Sequence, residues 1–421
     1  MMNIKQTTAS GLGRLIDNNK SFAQVQGAWR FYKNERVKIE DLNRPILEIG
    51  KDEIEKNCDK YVLMMTDWSH INYLKHKTKK ELIKKSNGNG KKQKGYELQT
   101  TIAVSDKTGE PLFPVVQNLK TSENVLSTYN HDLDISLDHF EEFEKRAEWI
   151  KENIQTEHKK VHIIDREGDV AGLYRHLDKQ NEKFLIRGKT VVNIYNPKDK
   201  ENWKQGELAK SLDKGKKFKR IKYYGKNVDI YVNDIDVEMR RDTTKKKTNK
   251  NGKDSSTRTK GNAIKVKLVV SKLIDSNNNI VATWILITNI SDVPSTTIAQ
   301  WYYYRWKIES FFKLLKSSGF FMESWQEQNP LGIFKKLLVT SFCSILVWKI
   351  NNNCQKETIK FKEFLVRLSG RGLECKKKST LPSILAGLWI FLQMMDTLKY
   401  YEKEKLLDMQ STLNSVSGFE F

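Results

Sequence analysis

The sequence predicts an α/β protein: a mixed-sheet core interrupted by a β-rich insertion, with helical regions at both ends. Three observations carry this. Short continuous apolar runs beginning at Tyr61 and Val161 each end on an aspartate, as buried strands do when they deliver a polar residue at the tip. From Phe184 to about Asn289 the apolar pattern becomes short and alternating, as in a run of strands with turns. Before Cys58 and after Pro330 the apolar spacing is helical, with few β-branched runs in the first segment.

These patterns divide the chain into a helical N-terminal module (1–60), a first part of the core (61–187), the β-rich insertion (188–283), a second part of the core (284–330) and a helical C-terminal region (331–421) suited to packing or dimerisation. YVLMMTDWSHINY is the first core strand, ending on Asp67. The lysine-dense KHKTKKELIKKSNGNGKKQKG after it reads as a loop, either a solvated linker or a contact for DNA. YELQTTIAVSD and EPLFPVVQNLK, joined by Asp106-Lys107-Thr108-Gly109, form an antiparallel hairpin. Ser136 to Ile154 is a helix with Leu137, Phe140, Phe143, Ala147 and Ile150 inward and Ser136 as its cap. Val161 to Ile164 is a second buried strand, ending on Asp165 and turning into a helix near Gly168 or Asp169. Asp169 and Glu167 read as charges complementing that helix's dipole. Within the insertion, Arg240 to Gly261 holds nine basic residues against two acidic ones and no apolar period, the pattern of a disordered hairpin tip.

Composition narrows the function. Lys and Arg total 74 against 52 Asp and Glu over 421 residues, a formal charge of +22, so a polyanion is the first partner to consider and nucleic acid fits best. The apolar stretches Leu337 to Trp348 and Leu385 to Met395 are too short and interrupted to cross a bilayer, and the N-terminus lacks a signal-peptide core, which together predict a cytoplasmic protein. Cys58, Cys343, Cys354 and Cys375 are widely spaced with no C-x-x-C pair, which argues against a zinc module or a disulfide framework.

The chemistry concentrates in WYYYRWKIESFFKLLKSSG, Trp301 to Gly319. On one continuous helix at roughly 100° per residue, Tyr302, Arg305, Glu309 and Lys316 fall within roughly 60° of one another, while Tyr304, Ile308, Phe311, Leu314 and Leu315 take the opposite side. One stripe then holds a phenol, a guanidinium, a carboxylate and an ammonium. The plain alternative is an ordinary i,i+4 surface pair of Arg305 and Glu309. Phosphodiester chemistry needs hard carboxylates for Mg²⁺ and cations for the phosphate, and Asp67, Asp165 and Glu309 supply three acidic side chains from distant segments. A lone aspartate at a strand end is more often a helix cap; three in this order, followed by a basic stripe, are harder to dismiss.

These blocks resemble the DDE transposases of bacterial insertion sequences, in the group with a Y-(2)-R-(3)-E-(6)-K motif. Tyr302, Arg305, Glu309 and Lys316 reproduce that spacing; Asp165-Arg166-Glu167-Gly168-Asp169 resembles the second-aspartate motif and TDWSHINY the first-aspartate strand. The resemblance runs from roughly Ala28 to Pro330, and GAWRFYKNERV resembles the family's DNA-binding module. It implies a ribonuclease H-like core in which Asp67, Asp165 and Glu309 are catalytic and hold two Mg²⁺ ions, with Mn²⁺ as a substitute. It implies DNA contacts by Tyr302, Arg305 and Lys316, double-stranded DNA at transposon ends and at the target as partners, and a homodimer on paired ends. Trp284 matches a strand where relatives carry a Trp, and two readings stand: core of that strand, or a ring that stacks on an unpaired base. Trp68 replaces the small hydroxyl residue many relatives place after the first aspartate. Little precedes Gly11 to Ile16 where relatives carry a further basic helix, so weaker end recognition, or a regulator of transposition without turnover, is the alternative expectation.

Overall fold

The computed structural model describes residues 18–86, 90, 92–223, 225–248, 254–370 and 379–417. The chain forms two compact units, one of Arg44–His70 and Glu97–Ser310 and the other of Met1–Asn43, Ile71–Tyr96 and Phe311–Phe421.

The first unit is built on a mixed sheet. Its strands are β1 (Tyr61–Asn72), β3 (Lys92–Ser105), β4 (Pro111–Lys120), β5 (Val125–Ser127), β6 (Lys159–Ile164), β7 (Lys183–Arg187), β8 (Asn193–Asn196), β9 (Glu201–Lys204), β10 (Lys216–Tyr223), β11 (Lys226–Met239), β14 (Ile264–Ile274) and β15 (Ile280–Thr288). The spatial order is β5-β4-β3-β1-β6-β7-β15-β14-β11-β8-β9, with β10 also on β11. β1, β6 and β7 run parallel, whereas β7, β15, β14 and β11 pair antiparallel. Of the strands between β7 and β15, β8 to β11 and β14 thus continue the same sheet.

The parallel register positions the candidate site. Met65 pairs with Ile163, so Asp67 and Asp165, each two residues further on, come level just past the β1–β6 pairing; β6 stops before Asp165, but β1 runs on to Asn72, so Asp67 lies within its strand and not at the tip the apolar run suggested. Parallel strands need crossover connections, here helix α3 (His139–Asn153) before β6 and α4 (Ala171–Lys179) between β6 and β7. Phe143 of α3, Leu173 and Tyr174 of α4 and Leu208 of α5 (Gln205–Ser211) pack with Phe184, Ile186, Leu268 and Ile287 in one buried cluster. Asp138, rather than Ser136, caps α3: its side chain accepts from the Phe140 and Glu141 amides, and Glu141 returns the bond as a capping box.

Burial also holds a charged network on α3. Arg146 is fully buried; it donates to Glu142 through Nε at 3.0 Å and through its terminal nitrogen, and to Thr101 Oγ1 at 3.1 Å. Glu142 also accepts from Asn118 Nδ2 at 2.6 Å and the Tyr129 hydroxyl at 2.9 Å. Every charge there has partners, the condition under which a buried ion pair is tolerated.

The Asp106 to Gly109 turn forms as the sequence predicts, with Gly109 at φ +71°. A Cβ there would lie 2.3 Å from the Tyr304 ring. The stretch from Arg240 is ordered further than composition suggested: β12 (Thr243–Thr248) and β13 (Asp254–Thr259) pair antiparallel, and 249–253 lie outside the described residues.

In the second unit, β2 (Ile83–Ser86) pairs antiparallel with Lys92 to Gly95, so part of the expected lysine-rich loop is a hairpin. Tyr73 donates its hydroxyl to the Met322 carbonyl at 2.9 Å, and Lys79 donates to the Trp325 and Glu327 carbonyls at 2.7 and 2.5 Å. Burial lowers the Lys79 ammonium to about 8. The unit's helices include α1 (Asn18–Lys33), α8 (Pro330–Asn352), α9 (Lys356–Leu368), α10 (Leu381–Tyr400) and α11 (Lys403–Ser417); α2 (Ile39–Asn57) leads into the first unit. By length and composition α8 and α10 do reach membrane-spanning dimensions, which corrects the estimate from the shorter apolar runs; 67% of the apolar window of α8 is buried within the fold and 33% of that of α10. Cys58, Cys343 and Cys354 are free thiols, and Cys375 lies outside the described residues.

Replacing Arg146 by Ala strands the buried Glu142 carboxylate and is expected to cost about 3–5 kcal/mol in urea unfolding. The double change Glu142→Leu with Arg146→Met should cost less than Arg146→Ala alone. A single variant as stable as wild type would show that the pair does not hold α3 to the sheet.

Candidate active site

Each acidic side chain reaches the site by a different local route. β1 is buried through Thr66 and then becomes half-buried, which brings the Asp67 carboxylate to the surface, where Oδ1 accepts from the Trp68 amide at 2.9 Å. Asp165 follows β6 and caps a short 3₁₀ turn, accepting from the Arg166 amide at 2.7 Å. Glu309 lies in the first turn of α7 (Trp306–Lys313).

The expected single helix from Trp301 to Gly319 is instead three segments: α6 (Ser295–Tyr303), α7, and a π-turn over Leu314–Ser318. Between α6 and α7 the bonds tighten to i→i+3, from the Arg305 amide to the Tyr302 carbonyl and from the Ile308 amide to the Arg305 carbonyl. Three residues per turn eclipse side chains three apart, so Tyr302 and Arg305 point the same way. That direction is inward: they are 4% and 6% exposed, not an open stripe. The run of large rings explains the break, because Trp301 packs on Tyr61 at 5.0 Å while the Tyr304 ring lies over Gly109.

Arg305 joins the carboxylates. One terminal nitrogen donates to Asp67 Oδ2 at 3.3 Å and the other to Glu309 Oε1 at 2.5 Å. Tyr302 donates its hydroxyl to Asp165 Oδ1 at 3.1 Å. Arg187, at the end of β7, stands 3.6 Å from the same oxygen. Asp67, Asp165, Tyr302, Arg305 and Glu309 are therefore brought together within one unit. Lys316 sits on the π-turn, in the other unit, 3.8 Å from Glu323. Trp284 is 5% exposed in β15 and meets the Tyr302 ring edge-on at 6.0 Å, a wall behind Tyr302.

The environment splits the two aspartates. Burial pushes Asp67 up to about 6, opposed by Arg305 and the Trp68 amide and reinforced by Glu309 and Asp165. Burial acts upward on Asp165 as well, but Arg305, the Arg166 amide, Arg187 and Tyr302 together hold it below the usual carboxylate range. Burial and then Asp165 raise Tyr302, so its phenol stays a donor. Against the cost of burial, Tyr302, Asp165, Asp67 and Glu309 keep Arg305 charged.

Two features escaped the sequence. Arg187 was legible only as the basic end of FLIRG, and its role depends on β7 lying beside β6. Asp169 is no surface helix-start charge: it is 3% exposed and accepts from the Tyr174 hydroxyl at 3.2 Å, the Lys189 amide at 2.7 Å, Gln205 Nε2 at 3.3 Å and the Arg241 guanidinium.

Among the described residues no three His, Cys, Asp or Glu side chains are grouped closely enough to hold a metal ion. The donor chemistry nevertheless fits one: three carboxylates are the hard oxygen set that Mg²⁺ prefers, and Asp67 feels the charge of both others. In this arrangement Arg305 supplies the positive charge between Asp67 and Glu309.

No curated protein matches the chain. Among solved structures it is similar to the piggyBac transposase synaptic complex with hairpin DNA, at 9% identity over 88% of this chain, with a TM-score of 0.35. The chain spans 62% of that structure's length, and so slight a likeness carries no argument. The transposase DDE domain matches residues 60–346, a span that contains Asp67, Asp165 and the Tyr302, Arg305 and Glu309 segment, and the chain belongs to that family.

Proposed function

We propose that the protein is a transposase that binds the ends of its insertion sequence and carries out metal-dependent DNA cleavage and strand transfer on a ribonuclease H-like core. The observation that supports this most is the convergence of Asp67 and Asp165, level on the neighbouring parallel strands β1 and β6, with Glu309 through the shared guanidinium of Arg305. Asp67, Asp165 and Glu309 would hold two Mg²⁺ ions, with Mn²⁺ able to substitute. Such ions, when bound, activate water and neutralise charge at the scissile phosphate. Tyr302 fixes Asp165 by donating to it and, with Arg187 and Arg305, keeps it ionised. Arg187 offers its guanidinium to phosphate, while Arg305, buried with both terminal nitrogens on Asp67 and Glu309, acts by holding those carboxylates; Lys316, in the other unit, offers DNA a point charge of its own. DNA is the partner that the +22 charge favours, at the element's ends and at the target. Pairing two ends calls for a homodimer.

Purified protein with Mg²⁺ or Mn²⁺ and a linear DNA carrying the gene's own flanks should give breaks at those flanks. Asp165→Ala, Asp67→Ala and Glu309→Ala should each abolish them while binding persists. Breaks at the normal rate in a variant would remove that residue from the site; binding without breaks by wild type would point to a DNA-binding regulator instead.

Binding should weaken steeply with salt, because each neutralised phosphate releases counterions. A flat salt response would count against DNA as substrate.

Asp67 also makes a stability prediction. Its value in the fold, about 6, lies above the ordinary 3.8, so the fold binds this proton more tightly than the unfolded chain does. The ionised carboxylate therefore costs stability, increasingly as pH rises through that window and fully above it. In metal-free protein Asp67→Asn should gain about 1 kcal/mol at neutral pH, the gain vanishing towards about pH 4. Melting curves at the two pH values measure this; no gain at neutral pH would contradict the environment described for Asp67.

A further inference from the structure

His139 opens α3 and touches three elements at once. Its ring stacks on Trp68, the residue after Asp67, with centroids 4.8 Å apart and planes 12° from parallel. Nε2 lies 2.9 Å from Glu97 Oε1 on β3, and Nδ1 lies 3.6 Å from Glu167 Oε2, two residues beyond Asp165. One small ring thus contacts the chain beside both aspartates.

The protonation state follows from the partners. Only an imidazolium donates from both nitrogens, and both face carboxylates. Glu97 is 6% exposed and gains a cation; Glu167 is exposed. Burial alone would lower the His139 value, but Glu97 and then Glu167 outweigh it, so the group is raised above its ordinary 6.5. A cation in the first turn of a helix works against the helix dipole. The position is therefore poor for α3 itself and is stabilised by what lies across from it. The groups facing the ring are Glu97 from β3, Glu167 from the turn after β6 and the uncharged Trp68 ring from β1.

We propose that His139 is a positioning residue: its imidazolium clamps the Trp68 peptide and the Glu167 turn to β3, and so fixes Asp67 and Asp165 relative to each other. The inference rests on the proposed metal-dependent site. Trp68 is what makes the clamp available on the Asp67 side, since a small hydroxyl residue at that position would offer no ring to stack against.

The test is Mn²⁺ binding to the full chain without DNA, by electron paramagnetic resonance of the free ion, at about pH 6.5 and about pH 8.5. The proteins are wild type, Asp165→Asn, His139→Ala, His139→Phe and His139→Gln. Phe keeps the stack on Trp68 and loses both ion pairs, so it remains informative if Ala fails to fold. His139→Phe should weaken Mn²⁺ binding about tenfold at the lower pH, as removal of a group that orients a ligand does, and Gln should restore part of it. The ratio to wild type should shrink towards the higher pH, as the imidazolium loses its proton and wild type loses the same clamp. Taking the ratio to wild type at each pH removes the titration of Asp67 that variant and wild type have in common. Equal affinity of Phe and wild type at both pH values, or a deficit identical at both, would overturn the clamp. Wild type that binds no Mn²⁺, or binds it as well as Asp165→Asn does, would instead sink the metal site on which the inference stands.

Discussion

Carboxylates gathered in a half-buried corner need a cation, and in this fold the cation is Arg305. Its guanidinium is nearly inaccessible, yet charged, because Asp67, Asp165, Glu309 and the Tyr302 hydroxyl surround it. Without it three acidic groups would repel one another in a poorly hydrated place, and the group already hardest to ionise, Asp67, would take up a proton. The tight turn between α6 and α7 serves this arrangement, since it aims Arg305 inward with Tyr302 where a regular helix would rotate them apart.

The sheet supplies the other half of the geometry. Two parallel neighbours in level register deliver Asp67 and Asp165 side by side, and the third, β7, brings Arg187 beside Asp165. The cost of ionisation is unevenly shared as a result: at Asp165 the cations and donors outweigh burial, whereas at Asp67 burial, with Glu309 and Asp165, outweighs Arg305 and the Trp68 amide. Of the two, Asp67 is therefore the carboxylate whose ionisation costs the fold more.

Asp67, Asp165 and Glu309 were legible in the sequence because their signals are local: an apolar run ending on an acid, and an Arg-Glu pair at helical spacing. The helix signal was less dependable. Periodicity could not register that Trp301 and Tyr304 seek different surfaces, one against Tyr61 and the other over Gly109, and that this pulls the helix apart. Arg187, Asp169 and His139 were illegible for a related reason. Each matters through a partner at least 22 positions away: Asp165 for Arg187, Arg241 for Asp169, Trp68 for His139. Ser136 lost the cap to Asp138 because only Asp138 stands three residues before the reciprocating Glu141. The apolar windows of α8 and α10 were underestimated by reading only their most apolar stretches.

The buried Asp169 has one more implication, for how separable the parts of this protein are. It closes the turn that begins at Asp165, yet Lys189, Gln205 and Arg241, three of its four donors, all come from the stretch between β7 and β15. Excising that stretch to obtain a minimal core would leave the buried Asp169 carboxylate without three of its four donors, four residues from Asp165. The stretch between β7 and β15 and the turn after β6 thus share one buried hydrogen-bond network and are not separable modules.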